Sequence, residues 1–134
     1  MSERVQLQHF DDFVALAQQQ PEPHRLLFVL TQRALPEGAS ETEIAQFDAG
    51  LGGVFLPIAG FDLMSDEVTG FAQLMTRLED TQDGWDLLLL TPSAHLEASG
   101  QALRDFMARV EAGNFDHALA FDTEGIPVWL EPAA

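Results

Sequence analysis

The apolar residues of this chain come in short runs, and the segments between the runs have the spacing of amphipathic helices. Three of the runs span residues 26–30, 54–59 and 87–90. Each run is too short for a helix and far below the roughly 18 residues needed to cross a bilayer, so each predicts a strand, and the run at 26–30 predicts one that is buried on both faces. The pattern favours a folded domain in which helices and strands alternate.

Four helices are predicted from apolar periodicity and from start and stop residues: residues 10–20, 40–49, a third opening at Ser65, and a fourth from Ser99 or Gly100 to a stop at Gly113. Five strands are predicted at residues 26–30, 54–58, 85–90, 118–121 and 126–130. Pro57 should place the second strand at a sheet edge or a bulge, because proline cannot donate to the ladder.

These elements predict an α/β (or α+β) fold that forms a single domain over residues 1–134. We expect a single mixed sheet of about five strands packed by about four helices, with parallel crossovers early and a β-hairpin at the end. The hairpin turn falls on residues 122–125.

Composition excludes several kinds of chemistry. The chain contains no lysine, cysteine or tyrosine, and its six basic residues are all arginine. A phosphate-binding P-loop and a Schiff-base enzyme both need lysine, while thiol, iron–sulfur and most structural zinc sites need cysteine. No cofactor and no metal ion is predicted.

The net charge is strongly negative. There are 22 carboxylates, which give a formal charge of -16. A field of this sign repels phosphate backbones and anionic lipid surfaces, so direct nucleic-acid binding and membrane binding are not expected. The amino terminus lacks the basic start and apolar stretch of a secretory signal, and the absence of cysteine agrees with the cytoplasmic location that we expect.

Four residues are candidates for a ligand-binding site. His95 and Glu97 follow the third strand, Asp62 follows the second, and Asp122 follows the fourth. If those strands ran parallel, the side chains could converge at one edge of the sheet and hold a small molecule or a divalent metal, or act as a hydrolase-like acid–base pair. Their spacing matches no established motif, so we assign no catalytic residue.

Three further residues are candidates for contact with a protein partner. His24 and Arg25 precede the first strand, and Trp129 lies in the last one. Arginine offers a planar fork of donors for a carboxylate, and tryptophan is enriched at interface anchors. The alternatives are an ion pair between Arg25 and one of the many acids, and a core position for Trp129.

Five segments carry a resemblance to a family: residues 18–29, 47–50, 52–53, 120–122 and 125–128. Together they resemble a small proteobacterial family of uncharacterised proteins, and the resemblance covers most of the chain. Members of that family often carry the label of ribonucleotide reductase subunit alpha. The resemblance implies a shared fold.

The reductase label implies chemistry that this chain cannot supply. The large subunit of that enzyme needs a thiyl radical on cysteine and a reducing cysteine pair, and its usual partner subunit needs a tyrosyl radical. This chain contains neither residue type. No catalytic residue is therefore carried over.

Three functional hypotheses follow. The first is a non-enzymatic interaction or accessory protein whose partner is another protein or a second copy, as in a homodimer. The second is a ligand-binding or metal-binding protein, or an enzyme, that uses the strand-end acids and His95. The third is a mimic of nucleic-acid charge, which requires carboxylates gathered on one face.

Overall fold

The computed structural model describes residues 7–79, 84–93 and 100–128. Its elements occur in the predicted order: α1 (Phe10–Gln18), β1 (Arg25–Ala34), α2 (Glu41–Asp48), β2 (Val54–Met64), a 3-10 turn (Ser65–Glu67), α3 (Phe71–Glu79), β3 (Leu87–Pro92), α4 (Gly100–Glu111), β4 (Leu119–Phe121) and β5 (Pro127–Val128). The predicted four helices, five strands and terminal hairpin are confirmed. None of the described helices has the length and apolar character that a membrane span requires.

The strands form one sheet in the order β2-β1-β3-β4-β5. Every neighbouring pair is antiparallel, so the expectation of parallel crossovers between neighbouring strands is wrong. The physical reason lies in α2, which buries no residue. This helix does not cross a face of the sheet, and β2 can therefore return directly beside β1 in the opposite direction.

Helices cover both faces of the sheet. On one face, α1 and α3 pack on β1 and β3, and alternate β1 residues such as Phe28 lie in that core. On the other face, α4 supplies Phe106 and Val110 against the intervening β1 residues, Leu27 and Val29. We call these faces the α3 face and the α4 face. β1 is buried on both faces, and this burial explains why its apolar residues form a continuous run.

Several boundaries differ from the prediction, and the two largest differences are the end of β2 and the start of α3. β2 continues to Met64, six residues beyond the predicted end. Ser65 is not the cap of a long helix, because it is buried: its hydroxyl accepts a hydrogen bond from the His24 backbone N–H at 2.8 Å, and its own N–H donates to the His24 carbonyl at 2.7 Å. The following helix starts at Phe71, whose N–H donates to an Asp11 carboxylate oxygen at 2.7 Å.

Candidate functional site

The structure places Asp62 inside β2, where its partner across the ladder is Leu27. One Asp62 oxygen lies 3.4 Å from an Arg25 guanidinium nitrogen, and the two side chains are only 25% and 16% exposed. Both residues lie on the α4 face. Arg25 thus forms the ion pair that was predicted as the alternative to contact with a protein partner.

Asp122 lies at the opposite end of the sheet from Asp62. Leu27 pairs with Asp62 and Thr91, whereas β4 ends at Phe121, which pairs with Leu88. Three strand spacings therefore separate the two carboxylates, a distance of roughly 14 Å across the sheet before any offset along the strands. The strands do not bring these acids together, because the neighbouring pairs are antiparallel.

The carboxylate of Asp122 is used within its own turn. One of its oxygens accepts hydrogen bonds from the N–H groups of Glu124 at 2.8 Å and Ile126 at 3.0 Å. This arrangement is an Asx turn, in which a side chain replaces a backbone acceptor. Asp122 therefore closes the hairpin between β4 and β5.

The remaining candidate residues divide into two groups. His95, Glu97 and Trp129 lie outside the described residues. His24 is exposed, and its backbone groups bond to Ser65. Across the described ranges, no group of three or more histidine or carboxylate side chains is placed to hold a metal ion.

A different feature stands out on β2, which is an edge strand of the sheet. Eight of its eleven residues are hydrophobic, yet none of the eleven is buried. A long, apolar edge strand offers unpaired backbone groups to another chain, and proteins usually blunt such edges with charges, proline, bulges or short length. β2 has a proline and one bulge, but it is eleven residues long and carries one charge. No strand described in the structure pairs with the outer side of β2.

A bulge at Ile58 aligns the apolar side chains of this edge. The ladder register steps from Leu30 opposite Ala59 to Thr31 opposite Pro57, so Ile58 has no partner. The predicted edge or bulge at Pro57 is thereby confirmed. The unpaired Ile58 packs against the core of the α3 face. Residues opposite each other across a ladder share a face, and the register therefore places five further β2 side chains on that face: Val54, Leu56, Ala59, Phe61 and Leu63. We call these five residues the β2 stripe.

The carboxyl-terminal half of the β2 stripe borders a groove. The groove has a volume of about 340 Å³ and runs between β2 and α3. Its lining is mostly apolar and includes Leu30, residues 59–63, Leu74, Arg77 and Leu78. At its base, the Phe61 ring stacks on the buried Phe28 ring with 4.9 Å between centroids. An edge strand beside a groove is the geometry that accepts an extended peptide.

Exposed apolar side chains are concentrated in the sequence segment that includes the amino-terminal half of the stripe. Six large hydrophobic residues of the described chain are exposed, and five of them lie between residues 35 and 56: Leu35, Ile44, Leu51, Val54 and Leu56. Exposed apolar side chains are ordinary when scattered. Their concentration in the segment that leads into β2 is typical of a contact surface.

Arg33 holds the connection between α2 and β2, a role that the sequence analysis did not assign. Its guanidinium donates to the carbonyls of Phe47 at 3.0 Å, Leu51 at 2.6 Å and Gly52 at 2.8 Å. It also lies 4.0 Å from the centroid of the Phe47 ring. The only sequence signal was an arginine at a strand end together with a glycine-rich helix stop, because carbonyl acceptors leave no trace in residue types.

The sequence between Arg33 and Arg77 is strongly acidic. Between Arg33 and Arg77 the sequence contains no basic residue and no histidine, but it contains seven carboxylates: Glu37, Glu41, Glu43, Asp48, Asp62, Asp66 and Glu67. This segment includes α2, β2 and the 3-10 turn. The sequence around β2 is therefore both apolar and acidic. Two arginines also lie near the strand: Arg25 beside Asp62, and Arg77 in the lining of the groove.

Comparisons of the chain with models of protein families, with curated proteins and with solved structures gave no match. The resemblance to the proteobacterial family stays a prediction.

Proposed function

We propose that this protein is a non-enzymatic interaction protein that binds a protein partner along the outer edge of β2. The observation that carries the proposal is the contrast between the apolar composition of β2 and its incomplete burial. In strand addition, main-chain hydrogen bonds supply affinity, and pockets for alternate side chains supply specificity. The groove beside residues 59–63 provides such a pocket.

The second hypothesis, a ligand or metal site at the strand ends, has weaker support. Asp62 is paired with Arg25, and Asp122 is used in its own turn at the other end of the sheet. The buried hydroxyl groups also serve the fold: Thr31 donates to the Leu87 carbonyl at 3.1 Å, and Thr91 donates to the His117 carbonyl at 2.9 Å. Side chains committed in this way offer little to a substrate.

Mimicry of nucleic-acid charge is the third hypothesis. The acidic segment of residues 34–76 agrees with it, but the apolar stripe along the same segment favours a partner that contributes apolar side chains. We place the protein in the cytoplasm, with which the absence of cysteine is consistent. The net charge of -16 disfavours direct binding to nucleic acid.

The proposal is tested by selecting peptides from a random library on the full chain and measuring their affinity for two matched variants. Leu56→Ser removes a side chain of the β2 stripe that is 45% exposed, and Ile126→Ser removes one that is 42% exposed near the opposite edge. We expect Leu56→Ser to weaken peptide binding by roughly tenfold, because the substitution removes most of the apolar contact that this side chain makes with the peptide.

Ile126→Ser should leave the affinity unchanged. Equal losses in the two variants, or a selection that yields no binding peptide, would contradict the proposal.

A further inference from the structure

We infer that the occupant of the β2 edge is an extended segment of a partner protein in which apolar side chains alternate with arginine or lysine. The inference rests on the proposed function and names the chemical class of the partner. It follows from what each face of β2 presents to a strand added beside it.

An added strand directs successive side chains to opposite faces of the sheet. On the α3 face they meet the β2 stripe and the groove of about 340 Å³, whose lining beyond β2 comes from three leucines and one arginine: Leu30, Leu74, Leu78 and Arg77. Apolar side chains fill such a groove without leaving a buried polar group unpaired. Every second residue of the occupant is therefore apolar.

On the α4 face, β2 presents one charged side chain, that of Asp62, which lies opposite Leu27 in the ladder. Its carboxylate already faces Arg25 at 3.4 Å but keeps 25% of its side chain exposed. A carboxylate has about four acceptor sites, so it can take a second basic partner. Apolar side chains of the added strand fit this face less well, because they would cover the charged carboxylate of Asp62.

The long-range electrostatic field of the chain also favours a positively charged partner. Residues 34–76 carry seven carboxylates and no basic residue, and the whole chain has a charge of -16. A positive segment is attracted to this edge and associates faster at low salt.

A second copy of the chain fits this edge less well than a basic segment. Pairing of two β2 strands would bring two of these acidic segments together. Like charges in close contact oppose association. The electrostatics therefore favour a different protein over self-association.

The test uses synthetic peptides of about eight residues, a typical strand length, with the full chain. One peptide alternates valine with lysine, and a second alternates valine with glutamate. A third has the same residues as the first peptide, but its lysines are grouped in one block. We expect the alternating lysine peptide to bind at least tenfold more tightly than either of the others. Added salt should weaken its binding, since the charges are largely exposed.

Matched variants locate the contact. Asp62→Asn should weaken binding of the alternating lysine peptide by roughly two- to fivefold, the range expected for one partly exposed ion pair. Glu124→Gln makes the same charge change in the turn that precedes β5, at the opposite edge of the sheet, and should have no effect. Thermal melting shows whether either variant has lost its fold.

Three results would overturn the inference. If the block peptide binds as tightly as the alternating lysine peptide, the attraction is between charges and no strand is added. If the glutamate peptide binds more tightly than the lysine peptide, the partner class is reversed. If sedimentation shows a dimer that Leu56→Ser dissociates, the occupant is a second copy of the chain. If library peptides bind at β2 but show no excess of basic residues, the partner class is wrong and the proposed function stands. If no peptide of any composition binds at β2, both fail.

Discussion

β1 and β2 are neighbouring strands of similar composition, but β1 is largely buried and β2 is not. Six of the ten β1 residues and eight of the eleven β2 residues are hydrophobic. In β1, six consecutive residues are buried, whereas β2 has no buried residue. Position in the sheet causes the difference, because β1 lies between two strands and β2 lies at the edge. Apolar content alone therefore does not separate a central strand from an edge strand.

The largest effect should come from the centre of the sheet. Phe28 in β1 is fully buried and stacks on Phe61 of β2. We expect Phe28→Ala to lower the free energy of unfolding by about 3 to 5 kcal/mol, since it removes a buried ring and leaves a cavity. Chemical denaturation of the variant and the parent protein measures this loss.

The other ring of the stacked pair gives a smaller effect. Phe61 is only partly buried, so we expect Phe61→Ala to cost about half as much, roughly 2 kcal/mol. The same denaturation experiment measures it. If both alanine variants cost the same, β2 is buried as completely as β1 and the comparison between the strands fails.

The third effect concerns the connection that precedes β2. Arg33→Ala removes three hydrogen bonds to carbonyl groups at the end of α2. We expect a loss of about 1 to 2 kcal/mol, because these bonds are charge-assisted but partly exposed. Amide hydrogen exchange between residues 46 and 53 should become faster.

Arg33→Lys is the matched control for the charge. Lysine keeps the positive charge but lacks the planar fork, so it should recover only part of the loss. Unchanged exchange in the alanine variant would show that α2 is held by other contacts.

The smallest effect on stability should come from the exposed part of the β2 stripe. Leu56 is 45% exposed. Leu56→Ser should change the free energy of unfolding by less than about 0.5 kcal/mol, as surface substitutions usually do. A loss as large as that of Phe61→Ala would mean that Leu56 serves the core, and its role in partner binding would lose support.

Much of the fold could be predicted from the sequence. Short apolar runs bounded by turn residues gave the strands, and the bulge next to Pro57 followed from the missing N–H of proline. The direction of β2 could not be predicted, because a helix of eight residues has the same pattern whether it crosses a sheet face or leaves the sheet. Only the absence of burial in α2 separates the two cases.

The candidate site was less predictable. Asp62 was expected beyond a strand that ended at residue 58, but the strand continues to Met64 and places the carboxylate within it. Pro57 predicted an edge or a bulge, but the residues of β2 do not show which side of the strand stays unpaired, because neighbours distant in sequence decide it. The role of Arg33 depends on backbone carbonyls, which every residue has.

Amide hydrogen exchange of β1 and β2, measured by NMR with and without a selected peptide, tests the central claim most directly. In the free protein we expect β1 amides to exchange slowly throughout, while alternate β2 amides exchange quickly because they point away from β1. Peptide binding should slow those alternate amides and leave β1 unchanged. Uniform protection of β2 in the free protein, or binding that changes no β2 amide, would contradict the account.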